Sequence, residues 1–320
     1  MSKLSLAVDV AGLRLRNPVM NAAGVLGMSP PILKRVYDSG AGGVVTKSVG
    51  PVPRTGHQNP TLVRVNCGAL NAMGLPNPGA DYYVEEIKAL KEMGLPTVAS
   101  FFGGSVQEFA DVAYKLTKAG ADALELNASC PNVAEELGML AADAGNVERV
   151  TAAVKNETRL PVFVKLSPNV TNIKTVAKAA EWGGADAITA VNTLLGIAID
   201  VNFRRPVLTN TTGGLSGPAV KPVALRCVWE VSQAVEIPVI GCGGITTWTD
   251  AVEYLLAGAS ALEVGTAVMT HGFEVYREIA EGLGAYMAEN GFSRVEEVVG
   301  LAHDAGRDSK SKVDRCSVRV

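Results

Sequence analysis

The sequence predicts an α/β fold, a (β/α)8 TIM barrel with an N-terminal β-hairpin and long insertions after strands 2 and 6. Three observations lead there. Short β-rich runs alternate with longer helical patterns along the whole 320-residue chain, as in a parallel sheet built from βαβ units. Eight such repeats fit the roughly 250 residues or more that such barrels occupy. Polar and glycine-rich residues follow nearly every strand. In a barrel those loops meet at one face, whereas an open doubly wound sheet gathers only the loops at its switch point.

Taken in order, LSLAVDVAGLRLRNPV at residues 4–19 reads as a hairpin turning near Gly12, a plug for the barrel base. Strands are expected at 18–21, 43–47, 97–101, 123–127, 162–166, 187–192, 239–241 and 261–265. Between them, 106–119, 147–156, 173–182 and 222–234 use good helix formers with apolar residues three or four apart, and 273–289 continues after the last strand. Connections 50–81 and 193–220 are long and read as functional loops without secondary structure. No linker or repeat interrupts the pattern, so 1–320 is expected to be one domain, with residues 304–320 a fraying tail rich in Lys, Arg, Asp and Ser.

Composition narrows the function. The chain is 48% hydrophobic and 19% charged, enough for a full core. A net charge of -3 with no basic stripe argues against nucleic-acid binding. Five cysteines (Cys67, Cys130, Cys227, Cys242, Cys316) form no CxxC pair and no metal spacing with the three histidines, so no metal is expected and the thiols read as reduced, in the cytoplasm. No apolar run is long enough to span a bilayer. The segment MSKLSLAVDV shows neither a signal-peptide core nor an amphipathic helix, so no membrane contact is expected.

The candidate chemistry lies at strand ends. Gly241-Cys242-Gly243-Gly244-Ile245 and Gly265-Thr266 follow strands seven and eight. Glycine loops at those two positions aim main-chain N–H groups at one anion, although each alone reads equally as a tight turn. Gly213-Gly214-Leu215-Ser216-Gly217-Pro218 is a third such loop, placed to close over the same phosphate. Lys47, in Thr46-Lys47-Ser48, and Lys165 on strand five fall at strand ends facing a common cavity. A buried ammonium needs an electron-rich partner, and an anionic substrate or a reduced flavin would serve. A snorkelling lysine and a Schiff-base nucleophile are the rivals.

Cys130 sits in Asn127-Ala128-Ser129-Cys130-Pro131-Asn132. A lone cysteine usually packs as a small hydrophobe, but this one has unusually polar neighbours. The other four cysteines read as structural. Asn71-Ala72-Met73-Gly74-Leu75-Pro76-Asn77-Pro78-Gly79, with Asn127 and Asn192, offers several carboxamides. These suit a ring with alternating C=O and N–H groups, or equally a set of turns.

Together these motifs, with Val164-Lys165-Leu166 and Asn192-Thr193, resemble the dihydroorotate dehydrogenases from about Leu4 to His303. The resemblance implies FMN, its phosphate held by Gly217, Gly243, Gly244, Gly265 and Thr266, with flavin contacts from Ala23, Lys47, Ser48, Asn127, Lys165 and Val191. It implies orotate bound by Lys47, Asn71, Ala72, Met73, Gly74, Leu75, Asn127, Asn192 and Thr193. It implies Cys130 as the base that takes a proton from C5 of dihydroorotate while hydride leaves C6 for the flavin, in de novo pyrimidine biosynthesis.

A cysteine base resembles the soluble class 1 enzymes. Asn192 to Asp200 and Lys221 to Arg226 look most like the class 1B catalytic subunit. That class implies a partner subunit with FAD and [2Fe–2S] that passes electrons to NAD+, and a homodimer within a heterotetramer. Two departures stand out: Ser100 replaces an asparagine common near the flavin, and 133–138 lacks the glycine-rich run of bacterial relatives. The competing functions are a dihydrouracil-type flavin dehydrogenase, a flavin-free Schiff-base lyase or aldolase, and a non-catalytic barrel.

Overall fold

The computed structural model describes residues 4–129, 140 and 143–304. Cys130, the 133–138 loop, Cys316 and the tail from 305 lie outside the described residues. Eight parallel strands line the interior: β1 (Val19–Asn21), β2 (Val44–Val45), β3 (Thr97–Phe101), β4 (Ala123–Asn127), β5 (Val162–Leu166), β6 (Ala187–Ala190), β7 (Val239–Cys242) and β8 (Ala259–Val264). Each pairs with the next in sequence from β2 to β8, and β8 pairs with β1.

The seam between β1 and β2 closes the barrel. A parallel bridge joins Met20 to Gly43, and Gly42 N donates to Val19 O at 2.7 Å. Beyond it the Asn21 carboxamide takes over the ladder, accepting from Val45 N at 3.0 Å and donating to Val45 O at 2.7 Å. A side chain thus replaces main-chain pairing where β2 is only two residues long.

Strand sequences such as VFVKL are apolar almost throughout because both faces are covered. Alternation sends Val45, Val98, Ala123, Phe163, Ala187, Ile240 and Ala261 inward. Val8, Val10, Leu13 and Leu15 of the hairpin Val8–Val10/Leu13–Leu15 pack on them, so the hairpin plugs the base as the sequence suggested. The outward set, including Leu124, Leu126 and Val164, packs on Phe109, Leu116, Val147 and Val150 of the surrounding helices.

Those helices are α1 (Pro30–Asp38), α2 (Ala80–Glu92), α3 (Val106–Ala119), α4 (Ala144–Glu157), α5 (Ile173–Trp182), α6 (Lys221–Ser232), α7 (Trp248–Leu256) and α8 (Val275–Glu289). Local sequence fixes their ends. Ser105 accepts from Glu108 N to start α3, left-handed Gly120 ends it, and Thr247 with Asp250 forms a capping box on α7. Among the described residues no helix is long and apolar enough to cross a membrane.

The long insertions differ from the expectation of structureless loops. Leu62–Val65 and Gly68–Asn71 from the first pair with Leu194–Ile197 and Thr212–Ser216 from the second in a four-stranded antiparallel sheet. The strand TGGLS was hidden by its glycines, which are poor strand formers. They are needed there: a Cβ on Gly214 would lie 2.0 Å from Thr193 Oγ1, and one on Gly213 would lie 2.7 Å from Asn71 O.

Candidate active site

Six strands contribute one polar layer to the barrel interior, above the apolar layer that rests on the hairpin. Ser100 (β3), Glu125 (β4), Lys165 (β5), Thr189 (β6), Cys242 (β7) and Glu263 (β8) are all buried. Lys165 Nζ donates to Glu263 Oε2 and lies 3.6 Å from Glu125 Oε1. Glu125 also accepts from Ser100 Oγ at 3.2 Å and from Thr189 Oγ1 at 3.1 Å. Burial alone would depress the ammonium, but the carboxyl groups of Glu125 and Glu263 beside it more than offset that and hold Lys165 well above its ordinary value.

An ammonium held this way is no amine nucleophile at neutral pH, which counts against the Schiff-base alternative at Lys165. Burial also pushes the Cys242 thiol up to about 12. It is a neutral thiol inside the barrel.

From this layer a hydrogen-bonded chain climbs to the mouth. Ser100 Oγ meets Ser48 Oγ at 2.8 Å, Asn127 Nδ2 donates to Ser48 Oγ at 3.3 Å, and Asn192 Nδ2 approaches Asn127 Oδ1 at 3.4 Å. Ser100 therefore links two layers. Thr193 N donates to Asn192 Oδ1 at 2.8 Å, and Asn71 Nδ2 donates to Gly214 O at 3.2 Å, beside Thr193. The inter-insertion sheet thus carries Asn71 from the second connection to Thr193 from the sixth.

The expected substrate and ring contacts fall into two groups. Ser48, Asn71, Asn127, Asn192 and Thr193 come together. Ala72, Met73, Gly74 and Leu75 continue from Asn71 as a partly exposed loop tied back to His57, with Met73 O accepting from His57 N at 3.0 Å. Asn77 is a hub of that loop: its Oδ1 accepts from Gly50 N and Gly79 N, and its Nδ2 donates to Leu75 O. Ala23 is buried beyond β1, and Val191 N donates to Cys242 O at 2.9 Å.

Lys47 follows β2 and is positioned by its main chain, whose N–H donates to Gly27 O at 2.9 Å. A Cβ on Gly27 would sit 2.2 Å from Lys47 N, so the approach requires glycine. Burial lowers the Lys47 ammonium below 10.5, and no carboxylate among the described residues offsets that cost.

Gly217, Gly243 and Gly244 all have positive φ, at +95°, +134° and +72°. A Cβ on Gly244 would lie 2.8 Å from both Gly217 O and Lys221 N, which puts the strand-seven loop against the Gly217 turn and the start of α6. Thr266 Oγ1 donates to Ser216 Oγ at 2.8 Å on the same side. Gly265 has only ordinary contacts for a Cβ, from 3.4 Å, so it carries no comparable steric demand. Lys221 turns its ammonium to Asp250 at 2.7 Å and Glu253 at 2.9 Å, leaving main-chain N–H groups and hydroxyls as the donor set. Such a cradle fits a phosphate-bearing cofactor.

This architecture has known relatives. The family described as dihydroorotate dehydrogenase matches residues 5–287. The chain belongs to the dihydroorotate dehydrogenase family. Within that family it is 52% identical over 298 residues to a Pyrococcus abyssi protein named dihydroorotate dehydrogenase B (NAD(+)), catalytic subunit, covering 93% of this chain and 99% of that one. Proteins of the same name from Methanosarcina acetivorans and Methanothermobacter thermautotrophicus are 49% and 47% identical. The matches cover 92% and 93% of this chain, and 96% and 99% of theirs. The likeness to class 1B catalytic subunits read from the motifs is borne out, and a flavin is the cofactor that the dihydroorotate dehydrogenase family implies.

Sequence reasoning missed Glu125, Glu263 and Thr189. Their signal was present: ALELN and ASALEV each place one carboxylate inside an apolar strand. Period-two alternation then puts Glu125 on the same face as Asn127.

Proposed function

We propose that this chain oxidises (S)-dihydroorotate to orotate with FMN, in de novo pyrimidine biosynthesis. The observation that carries the reading is one barrel mouth holding both a main-chain anion cradle and an amide–hydroxyl cluster, next to a lysine with no carboxylate partner among the described residues. Gly217, Gly243, Gly244 and Thr266 would hold the FMN phosphate, aided by Gly265. Lys165, Ser48, Asn127, Ala23 and Val191 would line the ring. When bound, FMN accepts the hydride that leaves C6 of the substrate.

The remaining steps belong to side chains. Lys47 neutralises the substrate carboxylate, and its buried charge gains the partner it lacks. Asn71, Asn127, Asn192 and Thr193, with the 72–75 main chain, satisfy the alternating donors and acceptors of the pyrimidine. Cys130, as thiolate, takes the C5 proton on the ring face away from the flavin; nearby lysine charge favours that thiolate. Electrons then pass through an FAD and [2Fe–2S] partner subunit to NAD+, from a homodimer within a cytoplasmic heterotetramer.

Anaerobic mixing of purified protein with dihydroorotate tests the assignment. Yellow protein that bleaches within a turnover and releases FMN on denaturation is the expected result. Colourless protein, or bleaching by dihydrouracil but not by dihydroorotate, would overturn it.

A further inference from the structure

The mechanism above uses Lys165 but leaves its two buried carboxyls unexplained. We infer that Glu125 and Glu263 share a single proton, residing on Glu263, and that the pair acts as a positioning device holding net neutral charge around Lys165, a residue that would line the flavin. The inference rests on the flavin reading for its effect on the cofactor, and on geometry alone for the proton.

The geometry is that of a dry ring with one cation and two acids. Glu125 is fully buried and Glu263 is 1% exposed. Glu263 accepts from Lys165, whose ammonium also lies 3.6 Å from Glu125 Oε1, so one cation faces both acids. Two buried negative charges against one positive would leave an unpaired charge in a low-dielectric interior, and one proton between the two acids removes it.

The partners decide where the proton sits. Glu125 already accepts from Ser100 Oγ and Thr189 Oγ1 and lies 3.6 Å from Lys165, so its oxygens are engaged as acceptors. That leaves Glu263 to carry the proton. Burial and the neighbouring Glu125 both push the Glu263 carboxyl upward, in the same direction. The titratable groups facing Glu263 are Glu125, Lys165 and Cys242, with the Cys242 thiol neutral. Met20 and Val45 from β1 and β2 are apolar members of the interior.

The serine–asparagine chain gives this ring a route to the mouth. Because Ser100 donates to Glu125, Ser48 donates to Ser100 and accepts from Asn127. An ionised Glu125 thereby fixes the direction of every bond up to Asn127. Protonation of Glu125 instead would free Ser100 to turn, and the amide of Asn127 would lose its set orientation.

Infrared spectroscopy and flavin potentiometry on the holoprotein test the pair independently. A carboxylic-acid C=O band, shifting on deuteration, is expected at neutral pH and should disappear in both Glu263→Gln and Glu125→Gln. Each single variant leaves one cation and one carboxylate, so the flavin midpoint potential should stay near the wild-type value. The double Gln variant leaves Lys165 uncompensated. It should favour reduced flavin at least tenfold at fixed ambient potential, about 30 mV for a two-electron couple.

A single variant that shifts the potential about half as far as the double one would mean that both acids are ionised, and would overturn the inference. A silent double variant that still binds flavin would equally overturn the proposed influence on the cofactor. Absence of the acid band in wild-type protein would overturn the shared proton whether or not flavin is bound. Absence of flavin, with the band present, would count against the function and leave the proton assignment standing.

Discussion

Gly244→Ala isolates what the anion cradle demands. Its φ of +72° is nearly that of Gly94, at +69°. A Cβ on Gly94 meets nothing within 4 Å, whereas one on Gly244 meets Gly217 O and Lys221 N at 2.8 Å, both main-chain atoms that cannot swing aside. Gly94→Ala therefore carries left-handed strain alone, about 1 kcal/mol. Gly244→Ala adds overpacking of about 1–3 kcal/mol, for about 2–4 kcal/mol together. In thermal unfolding this corresponds to a loss of about 2–4 °C for Gly94→Ala and on the order of 5–10 °C for Gly244→Ala. Relief of the clash also spreads the loop from the Gly217 turn, so FMN should bind at least tenfold more weakly to Gly244→Ala, about 1.4 kcal/mol, and normally to Gly94→Ala. Equal thermal losses with unchanged FMN affinity would refute the assignment of this turn to phosphate binding.

Three further outcomes are expected. Cys130→Ser should bind orotate normally but lose most flavin reduction by dihydroorotate at neutral pH, because a hydroxyl ionises far less readily than a thiol; wild-type rates in stopped flow would remove Cys130 from the chemistry. Lys47→Ala should weaken orotate binding about 10–100-fold, the scale of one charged hydrogen bond. Wild-type affinity should fall on the alkaline side with a midpoint below 10.5, since burial depresses the free ammonium, and titration calorimetry showing the same alkaline limb in Lys47→Ala would exclude this lysine. For Asp250, burial raises the carboxyl, but hydrogen bonds from Lys221, Thr246 and Thr247 outweigh it and hold the group at about 2 against 3.8. That contributes about 2 kcal/mol of stability above the ordinary carboxylate range, lost as pH falls from about 4 toward 2. Asp250→Asn should flatten that acid limb in denaturant titrations, and an unchanged slope would contradict the coupling.

Strands with one buried face and one helix-packed face were legible because their residues say so locally. Thr97–Phe101, Ala123–Asn127 and Val162–Leu166 stand where apolar continuity placed them, and α3 and α5 end at the residues expected. What could not be read was pairing between distant segments. Nothing in Gly68–Asn71 announces Thr212–Ser216 as its neighbour, 140 residues or more away, because the glycines that allow the contact erase the strand signal. The site divides the same way. Glycine loops and asparagines were visible as strand-end clusters, while the Lys165 ion pairs required knowing that β4, β5 and β8 face one interior. Cys130 was singled out from its polar neighbours in sequence and lies outside the described residues.

The carboxamide of Asn21 has a consequence for residues it never touches. It is bound to both main-chain groups of Val45, and Thr46, Lys47 and Ser48 continue directly from there. The aim of the lysine is thus inherited from an amide on the neighbouring strand. Aspartate at 21 would keep the acceptor and lose the donor, and serine would fall short of both. A change at a position remote from any reactant would then be felt as a misdirected cation at the entrance.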